Sequence, residues 1–109
     1  MARRLERGDV RLYRCGAPDK TRPVLVLTRP SAIPYLAGVT VAPITSTIRG
    51  VPSEVLLDTT DGMKQPCTVN LHNLVTVSKA HLGRHLATLS TSRMREVCVA
   101  IAFALRCED

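Results

Sequence analysis

At 109 residues the chain has the length of one domain, taken as residues 1–109, with room for a single modest core. Fifteen Lys and Arg against nine Asp and Glu leave a net charge of +6, and 45% of the residues are hydrophobic, which excludes a disordered chain. Two Tyr, one Phe and no Trp argue against a single-strand binder built on aromatic stacking.

The lead is basic. Residues 1–29 hold eight cations (Arg3, Arg4, Arg7, Arg11, Arg14, Lys20, Arg22, Arg29) against Glu6, Asp9 and Asp19, a surplus of five of the total +6. Such asymmetry suits a polyanionic partner held through phosphates and base edges. The first residues lack the apolar stretch of a secretory signal. The longest apolar run, Val97 to Leu105, is nine residues, against the ~20 needed to cross a bilayer. A cytoplasmic protein with no membrane attachment is therefore expected.

Gly8 to Arg14 alternates apolar and polar, a strand with one solvated face, in which Asp9 is read as structural. Cys15 to Thr21 is a loop. Pro23 to Thr28 is continuously apolar, which predicts a central strand covered on both faces. Pro30 and Pro34 bracket a short irregular or one-turn helical piece, and Gly38 opens a strand from Val39 to Ile44. Ser53–Asp58 is the next strand and Thr59–Gly62 has turn chemistry. Thr68–Leu71 and Leu74–Val77 are two short strands broken at His72-Asn73. Lys79 to Leu82 is read as a helical turn stopped by Gly83.

A helix over 92–106 follows, with N-cap candidates among Ser90, Thr91 and Ser92. Its stripe is Met94, Val97, Cys98, Ile101 and Leu105. Val99, Ala102 and Phe103 carry apolarity onto a second side, to be met by a second copy of the chain or by a deeper core. The four cysteines, Cys15, Cys67, Cys98 and Cys107, have no metal-ligand spacing and are expected to be reduced and mostly buried. In sum, short strands and one terminal helix predict a small, strongly bent or barrel-like antiparallel sheet with the helix packed on it.

Chemistry gathers at two strand ends. Arg22 precedes the apolar strand, and Thr45-Ser46-Thr47 with Arg49 closes another. A fixed guanidinium and short hydroxyls suit the charge that builds on a phosphoryl group under attack by an RNA 2′-hydroxyl. Each residue also has a bland reading: Arg22 as partner of Asp9 or Asp19, Thr45 to Thr47 as a β-branched strand end, Asn70 and Asn73 as turn formers, and His81 and His85 as surface residues.

The segments "RGDV" (7–10), "RPVLVLTR" (22–29), "VAPITSTIRG" (41–50), "PSEV" (52–55), "VNLHNLVTV" (69–77) and "HLGRHLATLS" (81–90), with the closing helix, carry a resemblance over about residues 7–106. In order and spacing the chain resembles MazF/PemK-type toxins, the endoribonucleases called mRNA interferases. The resemblance implies an SH3-like β-barrel with a C-terminal helix, shared by MazF, Kid and CcdB toxins, usually as a homodimer. It implies cleavage of single-stranded RNA at a short motif without metal or other cofactor, leaving a 2′,3′-cyclic phosphate and a 5′-hydroxyl, and hence arrest of translation. Carried onto this sequence, it makes Arg22 and Thr45 catalytic, with Ser46, Thr47, Arg49 and Lys20 along the RNA path.

In the same way Asn70 and Asn73 match base-recognition positions, while His72 stands where an acidic residue is common. The Cys15–Thr21 loop is shorter than usual and offers Asp19 as its only carboxylate. A general base is therefore not carried over. Arginine stays charged and serves poorly, and His72 is the candidate. The resemblance also implies a MazE-like antitoxin with an acidic or disordered tail. The alternatives are a gyrase-poisoning toxin of the same fold, like CcdB, and a non-catalytic basic RNA-binding module.

Overall fold

A computed structural model describes residues 4–14 and 20–106. Cys15, Asp19 and Cys107 lie outside these residues. Seven strands form one antiparallel sheet: β1 (Asp9–Arg14), β2 (Thr21–Val26), β3 (Gly38–Thr45), β4 (Glu54–Leu57), β5 (Cys67–Asn70), β6 (Val75–Ser78) and β7 (Leu82–Thr88). One helix, α1 (Thr91–Leu105), follows. The strands run in the order β4-β5-β3-β2-β1-β7, with β6 also paired to β3, so the path has two ends and the sheet is bent rather than closed.

The bend lies in β3. Its first half, Gly38 to Val41, pairs with β6, whereas Ile44 and Thr45 pair with β5. One long strand thus serves two short ones and turns the sheet around its core. The continuous apolar run of β2 is central, as its composition predicts. Leu25 and Leu27 face one core cluster, with Val10, Ile44, Val69 and Leu71, and Val24 and Val26 face a second, with Ile33, Val39 and Val41. Burying one such side chain fully contributes about 1.5–3 kcal/mol.

Two elements differ from the sequence reading. Residues 79–81 do make a helical turn, but Gly83 does not stop it, because the chain continues as β7. Two register shifts against β1, between Val10 and Arg11 and between Arg11 and Tyr13, break the alternation that would have announced this strand. In α1, Ser90 is the N-cap, accepting from Arg93 N at 3.1 Å. The inward face is set by Val97 and Ala100, with Met94 and Ile101 partly buried. Cys98 and Leu105, expected inside, are exposed, and the Arg7 guanidinium lies 3.5 Å from Cys98 Sγ. Both Cys67, buried, and Cys98 are free thiols.

The link between β4 and β5 holds a left-handed residue, Gly62 (φ +91°), where an added Cβ would lie 3.1 Å from Ala87 Cβ. Gly62→Ala combines the backbone penalty with crowding, and is expected to cost about 1–3 kcal/mol. Thermal denaturation checks it, since an unchanged Tm is incompatible with this loop conformation.

Candidate active site

β2 and β3 pair with Val24 opposite Pro43. Continuing that register by two residues sets Arg22 against Thr45, because antiparallel partners move in opposite directions along the chain. Both positions are at the rim of the sheet, and Arg22 is exposed while Thr45 is half-buried. Arg22, Thr45 and Ser46 line one cleft of about 600 Å³. The Thr45 hydroxyl accepts from Thr47 N at 3.1 Å, which orients the side chain and leaves its own proton free to be donated.

The other walls come from residues to which the sequence reading gave no role in the site. The link from β4 to β5 supplies Lys64 and Gln65, and β7 supplies Arg84 and His85. The lining side chains include three cations, Arg22, Lys64 and Arg84, and no carboxylate. A concave surface with one sign of charge concentrates anions. Among the described residues no carboxylate pairs with Arg22, and Asp9 instead faces Arg11, with Asp9 Oδ2 3.5 Å from Arg11 Nη2. Cys67 also lines the cleft. Burial, with the charges of Asp61 and Asp58 adding to it, pushes its thiol up and keeps it a protonated, poor nucleophile.

The remaining expected contacts do not line this cleft. Thr47, Arg49 and Lys20 are exposed beside it in sequence. Arg49 N and Gly50 N donate to Glu54 Oε1 at 3.1 and 2.9 Å, which folds the Arg49-Gly50 segment back on β4. Asn70 is buried and its Oδ1 accepts from His72 N at 3.1 Å, a turn-forming use. His72 is held by Ser53, with Nδ1 2.6 Å from Ser53 Oγ, and Asn73 is exposed in the same turn.

The imidazole that lines the cleft is His85. Its Nε2 lies 2.8 Å from Thr88 Oγ1, and that hydroxyl donates to Asp9 Oδ1 at 3.2 Å. A hydroxyl has one proton, so Thr88 must accept from His85 and Nε2 must carry a hydrogen. Nδ1 is then the nitrogen left to accept a proton. No cluster of three or more His, Cys, Asp or Glu able to hold a metal occurs among the described residues, and the lining holds one cysteine and one histidine.

Comparison with known proteins places the chain among relatives. The profile of the family described as PemK-like, MazF-like toxin of type II toxin-antitoxin system matches residues 6–105. Endoribonuclease MazF3 of Mycobacterium tuberculosis is 44% identical over 86 residues, which cover 79% of this chain and 84% of the relative. The structure of Mycobacterium tuberculosis toxin MazF-mt6 superposes with a TM-score of 0.82 at 39% identity, covering 90% of this chain and 96% of that one. An endoribonuclease solved in complex with its cognate antitoxin, from a mycobacterial species, superposes with a TM-score of 0.87 at 25% identity over 97% and 99% of the two chains.

Proposed function

Because this chain belongs to the PemK-like, MazF-like toxins of type II toxin–antitoxin systems, we propose that it is a sequence-specific endoribonuclease of single-stranded RNA whose activity arrests translation. The observation that carries this reading is the meeting of Arg22, Thr45 and Ser46 in a cationic cleft free of carboxylates. The reaction forms a bond from the ribose 2′-oxygen to phosphorus and breaks the bond from phosphorus to the 5′-oxygen. The products are a 2′,3′-cyclic phosphate and a 5′-hydroxyl. One proton leaves the 2′-hydroxyl and one reaches the 5′-oxygen.

In this mechanism Arg22 neutralises charge on the phosphoryl oxygens, and the hydroxyls of Thr45 and Ser46 donate to them. The Thr45 hydroxyl is oriented by Thr47 N before the substrate arrives, so little reorganisation of that donor opposes the reaction. His85 takes the place that His72 held as candidate base: it lines the cleft, and its network leaves Nδ1 free to accept. Relatives crystallised with an antitoxin support a partner of that kind, and the basic surface suits an acidic tail. The exposed Val99, Phe103 and Leu105 of α1 support a homodimer. No helix of the described residues is long and apolar enough to cross a membrane, which accords with action in the cytoplasm.

Purified protein incubated with RNA in EDTA tests the reading. Cleavage should persist, with 2′,3′-cyclic phosphate ends. Intact RNA sinks it, and would favour either gyrase poisoning or salt-sensitive binding without cleavage.

A further inference from the structure

Cations that hold phosphates carry no sequence information; bases are read by side chains that offer donors and acceptors to their edges. Of the residues expected to read bases, Asn70 is buried with its Oδ1 taken up inside the turn, and the exposed Asn73, like the neighbouring His72, does not line the cleft. The cleft lining contains one amide, Gln65, next to Lys64 in the link between β4 and β5. An amide presents a donor and an acceptor in one plane, the pattern that distinguishes base edges. Both residues are exposed, so both are accessible to a ligand in the cleft.

A reader must also be held in place, and this link is tied down at both ends. On entry, Asp58 Oδ1 accepts from Thr60 N at 2.9 Å and from the Thr60 hydroxyl at 2.5 Å, while Asp61 Oδ2 accepts from Asp58 N at 3.0 Å. The two bonds from Thr60, its hydroxyl's first, hold the Asp58 carboxyl below its ordinary range. Gly62 then turns the chain in a left-handed conformation in which an added Cβ would crowd Ala87 at 3.1 Å. On exit, Cys67 enters β5 buried.

Between these points, Asp61 is gripped from outside the loop. Arg93, in the first turn of α1, places Nε 2.9 Å from Asp61 Oδ1, and its Nη1 lies 3.0 Å from Glu96 Oε2. The Asp61 side chain is 8% exposed and Arg93 26%, so this pair is better shielded than an ordinary surface pair. Lys64 and Gln65 follow Asp61 by three and four residues, too short a span to swing freely from that anchor.

We propose that this link is the sequence-reading wall of the cleft: Gln65 contacts a base, Lys64 contacts a phosphate, and Arg93 is a positioning residue that fixes both through Asp61. The proposal deepens the RNA-cleaving reading and rests on it. It assigns part of the cleavage motif to a loop and a helix residue that lie outside the Arg22 and Thr45 strands.

The test is end-mapping of cuts in a randomised RNA pool by wild type, Gln65→Ala, Lys64→Ala, Arg93→Ala and Arg93→Lys, with Tm as a check on folding. Gln65→Ala should lose about tenfold of its preference at one motif position and keep the others, since one base contact governs about that much discrimination. Gln65→Glu, of the same size, should shift preference at that same position. Lys64→Ala should weaken RNA uniformly and lower the salt slope by about 0.7. Arg93→Ala should raise KM and flatten discrimination while kcat at saturating RNA changes less than about twofold, with partial recovery in Arg93→Lys. A folded, cleaving Gln65→Ala protein with the wild-type motif at every position overturns the proposal. A wild-type protein that leaves the pool intact overturns the RNA-cleaving reading along with it.

Discussion

Arg22→Ala is expected to slow RNA cleavage by about 10²–10³-fold, the usual cost of removing one preorganised donor to a charge that develops in the transition state. The residue is exposed at the strand end and has no carboxylate partner among the described residues. Its loss should therefore leave Tm within about 3 °C, as surface substitutions do when they break no buried contact. Arg22→Lys keeps the charge but not the planar fork, and should recover only part of the rate. Thr45→Val removes the hydroxyl with little change in shape. It loses a donor to the phosphate and an acceptor for Thr47 N, so its effect should fall in the same direction. Single-turnover rates at saturating RNA measure both. An Arg22→Ala protein that is folded and cuts at the wild-type rate would remove the guanidinium from the mechanism.

How much of this was legible in the sequence follows from where each signal is encoded. The apolar run of β2 announces a strand covered on both faces, and the two clusters that receive Val24 and Leu25 are its direct consequence. Arg22 and Thr45 are readable because each sits beside a conspicuous strand end, yet their meeting depends on the β2–β3 register, which no local pattern states. β7 escaped because its bulges destroy the period of two, and with it went Arg84 and His85 as wall residues. Lys64 and Gln65 lie in a link with no periodicity, so only the tertiary anchor from Arg93 brings them to the cleft. Asn70 shows the reverse failure. A polar residue in a strand pattern reads as available, but burial and the His72 amide take its side chain up.

The same logic makes Asp9 the position where one atom group matters most for the fold. Asp9 is 0% exposed. Its Oδ2 accepts from Glu6 N at 3.0 Å and lies 3.5 Å from Arg11 Nη2, while Oδ1 accepts from the Thr88 hydroxyl at 3.2 Å. The Arg11 side chain is itself only 9% exposed and donates to Gly83 O at 3.0 Å. Asp9→Ala would thus remove a buried carboxylate from beside a buried guanidinium, and leave the Glu6 amide and the Thr88 hydroxyl without this acceptor. Breaking a buried pair from one side costs about 3–5 kcal/mol, a large share of the stability of a small domain. Urea or thermal denaturation should show it as a fall in Tm of more than about 10 °C. Asp9→Asn keeps one acceptor oxygen but loses the charge and sets an NH2 donor in place of the other oxygen, so it should fall between wild type and Asp9→Ala. A loss below about 1 kcal/mol in Asp9→Ala would mean that the strand pairing of β1 with β2 and β7, not this carboxylate, holds the basic lead against the sheet. The expected loss would instead make the carboxylate the tie between β1 and β7, and so the support of the wall that carries Arg84 and His85.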